Sequence, residues 1–165
     1  MSQLTLEPLH APEQVETAAR LAGEIWREHY SAILDAGQIE YMLEQFQSTA
    51  AIARQLEEGY HYYLFRVGGA AAGYLSIKPE GDRLFLSKLY VAKDYRRQGL
   101  AAQALAYLCG LCRQDGLAAI YLTVNKHNAG SIAAYGRLGF RKVKEQTVDI
   151  GNGYVMDDFV MERGV

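Results

Sequence analysis

The sequence predicts an α+β fold with a mixed sheet, and three observations predict it. Helical periodicity fills most of the first third. Strand-like runs separated by tight turns follow between Tyr60 and Val91, and a strand-helix-strand succession runs from Leu84 to Asn125. The chain has 165 residues, 50% of them hydrophobic, which suits one compact domain spanning residues 1–165.

Leu4 to Leu9 alternates apolar and polar residues as a short strand does. Pro12 then suits the first turn of a helix whose apolar face carries Val15, Ala18, Ala22, Ile25 and Trp26 and which runs to about Tyr30. Ile39, Met42, Leu43 and Phe46 repeat the helical period in a second segment. Ser48 or Thr49 caps a third, which bears Ile52 and Leu56 and stops at Gly59. Tyr60 to Val67 and Ala70 to Lys78 read as strands joined by the Gly68-Gly69 turn. Pro79-Glu80-Gly81-Asp82 reads as a second turn before the strand Leu84 to Val91. A helical pattern over Gln98 to Gln114 and a strand over Ala119 to Asn125 complete a right-handed crossover between parallel strands. Ala129 to Leu138 is a shorter helix ended by Gly139, and Arg141 to Ile150 with Tyr154 to Arg163 form a last hairpin.

Composition narrows the function classes. The formal charge is -2, and no cationic run exceeds the pair Arg96-Arg97, so a nucleic acid or an anionic membrane is not the expected partner. Met1 to Pro12 lacks a charged start and an apolar run, and no stretch approaches the roughly 20 apolar residues of a membrane span. The expected location is cytoplasmic. Cys109 and Cys112 fall on one helical stripe with Leu105 and Leu108, where free thiols act as small hydrophobes. His10, His29, His61 and His127 are scattered, so no metal is expected.

The chemistry concentrates in Leu89 to Ala101. A strand ends near Val91, a basic turn follows, and a helix opens at Gly99 with a small residue at Ala101. First-turn amides lack intrahelical partners and the helix dipole adds positive charge, which together suit a phosphate. Arg96 and Arg97 add charge, and Gly99 and Ala101 keep side chains clear. An ordinary helix start with a solvated arginine pair has the same pattern.

Arg96, Gly99 and Ala101 stand where the acetyl-CoA-binding motif Q/R-x-x-G-x-G/A of the GNAT superfamily places them. Asn128, then Tyr135 seven residues on, then Gly139-Phe140 resemble that superfamily's next motif in order and separation. The chain thus resembles GNAT N-acetyltransferases over essentially its whole length. The resemblance implies a central mixed sheet with helices on both faces, a strand-helix-strand acetyl-CoA site, and acetyl-CoA as cosubstrate with no metal. It further implies that the amides of Arg97, Gln98, Gly99, Leu100 and Ala101 hold the pyrophosphate. The main chain of Leu89, Tyr90 and Val91 would pair with the pantetheine arm, Asn128 and Ser131 would hydrogen-bond the cofactor, Arg137 would approach its adenosine phosphate, and Tyr135 would be the general acid.

That chemistry needs an uncharged amine, a donor for the oxygen that becomes negative, and a proton for the leaving sulfur. An amide near Val91 meets the second need and the Tyr135 phenol the third. The base is open: some superfamily members carry a glutamate on the central strand, but Ser87 and Lys88 precede Leu89 here. Glu28, Glu40, Asp157, Asp158 and water are the alternatives.

In the superfamily, the first helices and the last hairpin build the acceptor pocket. Here they contribute Trp26, Glu28, His29, Tyr30, Tyr41, Glu44 and Asp157-Asp158. Aromatic and acidic groups suit a small-molecule cationic amine, and the stretch from Trp26 to Phe46 also resembles some bacterial polyamine acetyltransferases. A peptide or protein N-acetyltransferase and a non-catalytic acetyl-CoA-binding module are the alternatives. Dimers are common in the superfamily, so a homodimer is open.

Overall fold

The structure, a computed structural model, describes residues 3–165. Met1 and Ser2, part of the leading segment read above, lie outside the described residues. Seven strands form one mixed sheet in the order β1-β2-β3-β4-β5-β7-β6. The chain divides into two compact units. One comprises the chain up to Lys78 together with Lys88–Ala106, and the other Pro79–Ser87 with Tyr107–Val165.

The first unit opens with β1 (Thr5–Pro8), antiparallel to β2 (His61–Val67), which pairs antiparallel with β3 (Ala70–Glu80). Helix α1 (Pro12–Tyr30) starts where its proline predicts. The Gln14 side chain closes this end, with Oε1 accepting from the Ala11 amide at 2.8 Å. Its buried stripe is Val15, Ala18, Leu21, Ala22, Ile25 and Trp26, the set that a 3.6-residue period gathers on one face.

The second helical segment departs from expectation. Helix α2 (Ala36–Met42) passes into a π-helical turn, Leu43–Gln47. The widened turn changes the helical phase, so the polar Gln47 is buried while Phe46 is only half-buried. Helix α3 (Thr49–Glu57) is capped by Ser48, whose Oγ accepts from the Ala51 amide at 3.2 Å. Ile52, Leu64, Phe65 and Leu75 are fully buried, and each such side chain contributes about 1.5–3 kcal/mol by leaving water.

The second unit holds the first half of β4 (Arg83–Val91), parallel to β5 (Ala119–Asn125) over Arg83 to Phe85. Strand β7 (Tyr154–Gly164) runs antiparallel to β5 and to β6 (Arg141–Gly151). Strand β3 extends through Pro79 to Glu80, leaving only Gly81 and Asp82 in the turn. The expected four-residue turn is therefore shorter, since a proline is tolerated where a strand needs no ladder donor.

Helix α4 (Leu100–Asp115) begins one residue after Gly99, not at Gln98, and α5 spans Ala129–Arg137. Cys109 and Cys112 are unbonded and buried, as the helical stripe predicts, and Arg163 donates to the Cys109 sulfur at 3.3 Å. No helix among the described residues is long and apolar enough to cross a membrane.

Candidate active site

In the first unit the expected cofactor segment is held from two sides. Gly73 of β3 lies so close to β4 that an added Cβ would collide with the Tyr90 carbonyl and stand 3.1 Å from Val91 Cα. Just beyond, the Ala92 amide donates to the Ala72 carbonyl at 2.8 Å. From the other side, Arg96 Nε donates to the Val91 carbonyl at 2.9 Å, and Arg96 Nη2 stands 2.7 Å from Glu28 Oε1 on α1. Glu28 is thus an ion-pair partner of the turn.

The turn itself has an uncommon backbone. Arg97 has φ 61° and Gly99 φ 78°, two left-handed residues either side of Gln98. Arginine rarely adopts that conformation, whereas glycine does so without steric cost. Left-handed residues at a turn present successive amides to one concavity, an arrangement that binds anions. The first intrahelical bond of α4 runs from the Gln103 amide to the Gly99 carbonyl at 3.0 Å, so Leu100, Ala101 and Ala102 have no intrahelical acceptor.

Trp26 and Tyr30 are buried, and with Tyr74 and Tyr90 they form one aromatic cluster. Trp26 lies 5.5 Å from Tyr90 between ring centroids, and the hydroxyls of Tyr30 and Tyr90 are 3.1 Å apart. His29 packs edge-on to Tyr30, and Tyr41 is half-buried on α2.

Behind this cluster, Lys88 occupies a polar cage. Its ammonium donates to the Phe46 carbonyl at 2.7 Å, to Gln55 Oε1 at 2.8 Å and to the Tyr62 hydroxyl. Burial without a carboxylate partner pulls the Lys88 pKa down to about 7. Nearby, the Tyr74 hydroxyl donates to Gln47 Oε1 at 2.9 Å, the contact that the π-turn makes available.

In the second unit, buried Asn128 caps α5, its Oδ1 accepting from the Ser131 amide at 3.3 Å. Half-buried Tyr135 packs against Phe140 with centroids 5.7 Å apart, and Arg137 is exposed in the last turn. Asp157 is taken by Lys126 at 2.8 Å and by the Thr147 hydroxyl at 3.0 Å, hydrogen bonds that hold its carboxyl below the usual range. Glu40 is likewise held down by its bidentate bond to Arg27. Asp158 differs from both. It is 3% exposed, and burial, reinforced by the charge of Asp157, pushes its carboxyl up to about 6.

The first unit therefore brings Trp26, Glu28, Tyr30, Tyr90, Val91 and Arg96 together, and the second unites Asn128 with Ser131. Leu89 is half-buried on the same strand end, and Tyr41 sits on α2. Sequence reasoning missed Gly73, Gln47 and the Lys88 cage. A glycine inside the strand run Ala70 to Lys78 was the available signal for close backbone approach. The other two depend on the π-turn.

Comparison of the whole chain with known proteins points to one family. The model of the acetyltransferase (GNAT) family matches residues 20–140. A ribosomal protein bS18-alanine N-acetyltransferase of Escherichia coli (strain K12) is 32% identical over 87 residues, 52% of this chain and 59% of that protein, so the match spans little more than half of the relative. Solved structures share the fold, two acetyltransferases among them. The PaiA N-acetyltransferase from Thermoplasma acidophilum, crystallised with coenzyme A, superposes with a TM-score of 0.80 at 20% identity, covering 99% of each chain. A GCN5-related N-acetyltransferase from Rhodopseudomonas palustris superposes with a TM-score of 0.82 at 20% identity, covering 100% of this chain and 98% of that one. With most of its length under the family model and the whole fold shared, the chain belongs to the acetyltransferase (GNAT) family.

Proposed function

We propose that the chain transfers the acetyl group of acetyl-CoA to a primary amine. The observation that carries this reading is the turn from Arg96 to Ala101, with Arg97 and Gly99 left-handed in front of α4. Its amides and the dipole of a 16-residue helix fit a pyrophosphate. Acetyl-CoA supplies an activated acetyl thioester, and this chain's residues do the rest. The amides of Arg97 to Ala101 hold the pyrophosphate, and the main chain of Leu89 to Val91 aligns the pantetheine arm. Asn128 offers its side-chain amide while its oxygen caps α5, Ser131 adds a hydroxyl, and exposed Arg137 meets the adenosine phosphate. Tyr135 protonates the departing sulfur.

For the amine's proton, Asp158 and water are the remaining candidates. Glu28, Glu40 and Asp157 each face a cation of the chain itself, and a carboxylate stabilised in that way is a weak base. A carboxyl near pH 6 is better matched to taking a proton at neutral pH.

Two acceptor classes follow. A small cationic amine suits the aromatic and acidic composition of α1, α2 and the last hairpin, including Trp26, Tyr30, Tyr41 and Asp157. A peptide or protein α-amine is favoured by a specific observation: the ion pairs of Glu28 and Asp157 already neutralise the carboxylates that would select a second ammonium. The E. coli relative, which is named for acting on a ribosomal protein alanine, points the same way. Thiol release and product mass, measured with a diamine, spermidine, an aromatic amine and an Ala-initiated peptide, decide between them. Coenzyme A binding without thiol release on any acceptor would overturn the enzymatic reading in favour of a binding module.

A further inference from the structure

We propose that Glu28 is a positioning residue for the cofactor: acting through Arg96, it holds the Val91 end of β4 where the pantetheine arm must pair. The inference rests on the reading of residues 89–101 as the coenzyme A segment.

A guanidinium offers five donors in a rigid plane, so fixing two of its nitrogens fixes its orientation. Arg96 spends Nε on the Val91 carbonyl at 2.9 Å and Nη2 on Glu28 at 2.7 Å. Its side chain therefore turns back onto the strand it follows, and Glu28 braces it from a different element. On the opposite side Gly73 admits the same two β4 residues, Tyr90 and Val91, to a distance that any side chain would forbid. The strand end is gripped between β3 and a guanidinium that α1 orients.

Stability does not explain this arrangement well. The side chains of Arg96 and Glu28 are 34% and 38% exposed, and ion pairs so open to solvent are worth little. What the pair does supply is direction. Without the carboxylate the guanidinium swings into water and the Val91 carbonyl loses its donor. The loss then falls on the backbone that meets the cofactor, and Glu28 leaves no mark on the acceptor.

A double-mutant cycle tests this. Coenzyme A affinity is measured by calorimetry for wild type, Glu28→Gln, Arg96→Met and the double variant, beside KM for acetyl-CoA and for the acceptor. Each single change should weaken coenzyme A by roughly three- to ten-fold and the double variant no further, because coupled neighbours are not additive. The acceptor KM should stay within two-fold or so. Arg20→Gln, which breaks the exposed pair with Glu24 on the same helix, should bind coenzyme A as wild type does. Melting temperatures establish that all variants fold. Wild-type affinity in Glu28→Gln, additive losses, or an effect confined to the acceptor KM would overturn the inference. Gly99→Val separates the two levels. If it binds coenzyme A as wild type does, the cofactor reading falls and this inference with it, whereas if it alone loses binding, only the role of Glu28 fails.

Discussion

The Lys88 ammonium lies 2.7 Å from the Phe46 carbonyl, joining the central strand to the end of the π-helical turn with no carboxylate in its cage. Burial lowers its pKa to about 7 from 10.5, so between those values the unfolded chain binds a proton that the folded chain has released. Stability from this group is present above the unfolded pKa and is lost as pH falls towards 7. Denaturation should therefore show stability rising by about 1–2 kcal/mol from pH 7 to pH 9. Lys88→Met should flatten that slope. An unchanged slope in the variant would assign the titration elsewhere.

Asp158 should work in the opposite sense. Its carboxyl, normally near 3.8, is raised to about 6. The associated stability is complete below the unfolded value and is lost as pH rises through the folded one. Asp158→Asn should thus be more stable than wild type by about 2–3 kcal/mol above pH 6, and equal to it near pH 3. If Asp158 also takes the amine's proton, kcat should fall roughly 10²- to 10⁴-fold and the acid limb of the rate profile near pH 6 should vanish. A more stable variant with wild-type kcat would remove it from catalysis.

Coenzyme A at ~100 times its Kd should stabilise the wild-type chain by about 2.7 kcal/mol. Gly99→Val places a branched residue at φ 78°, where it costs stability by itself, and should remove most of the ligand-induced shift. Thermal denaturation with and without coenzyme A reads both effects.

Tyr135→Phe should leave coenzyme A affinity near wild type, because its packing on Phe140 needs only the ring. Turnover should drop by roughly 10² to 10⁴ if the phenol protonates the sulfur. Single-turnover rates check this, and an unchanged rate would give the proton to solvent.

Features that depend on neighbouring residues were legible in the sequence. Pro12, the apolar stripe to Trp26 and the Ser48 cap set α1 and α3 because each acts within one or two turns. The parallel pairing of β4 with β5 follows from the helix between them. Features set at a distance were not legible. Nothing around Arg97 announces φ 61°, since arginine is seldom left-handed. Pairing of Glu28 with Arg96 joins residues far apart in the chain, so the carboxylate read as an acceptor contact instead. Asp157 and Asp158 look alike as a dipeptide and separate only because β7 turns one towards Lys126 and buries the other.

The π-turn over Leu43–Gln47 makes chain length adjustable by one residue at one place in the helical layer. An α-helix advances about 100° per residue, and a π-turn fits one extra residue into nearly the same rotation, so removing a single residue before Gln47 would restore regular winding and still leave Gln47 facing the Tyr74 hydroxyl that it meets at 2.9 Å. Between α2 and α3 a one-residue deletion is therefore absorbed by the winding, whereas the same deletion inside α1 would turn every later apolar residue off the buried stripe.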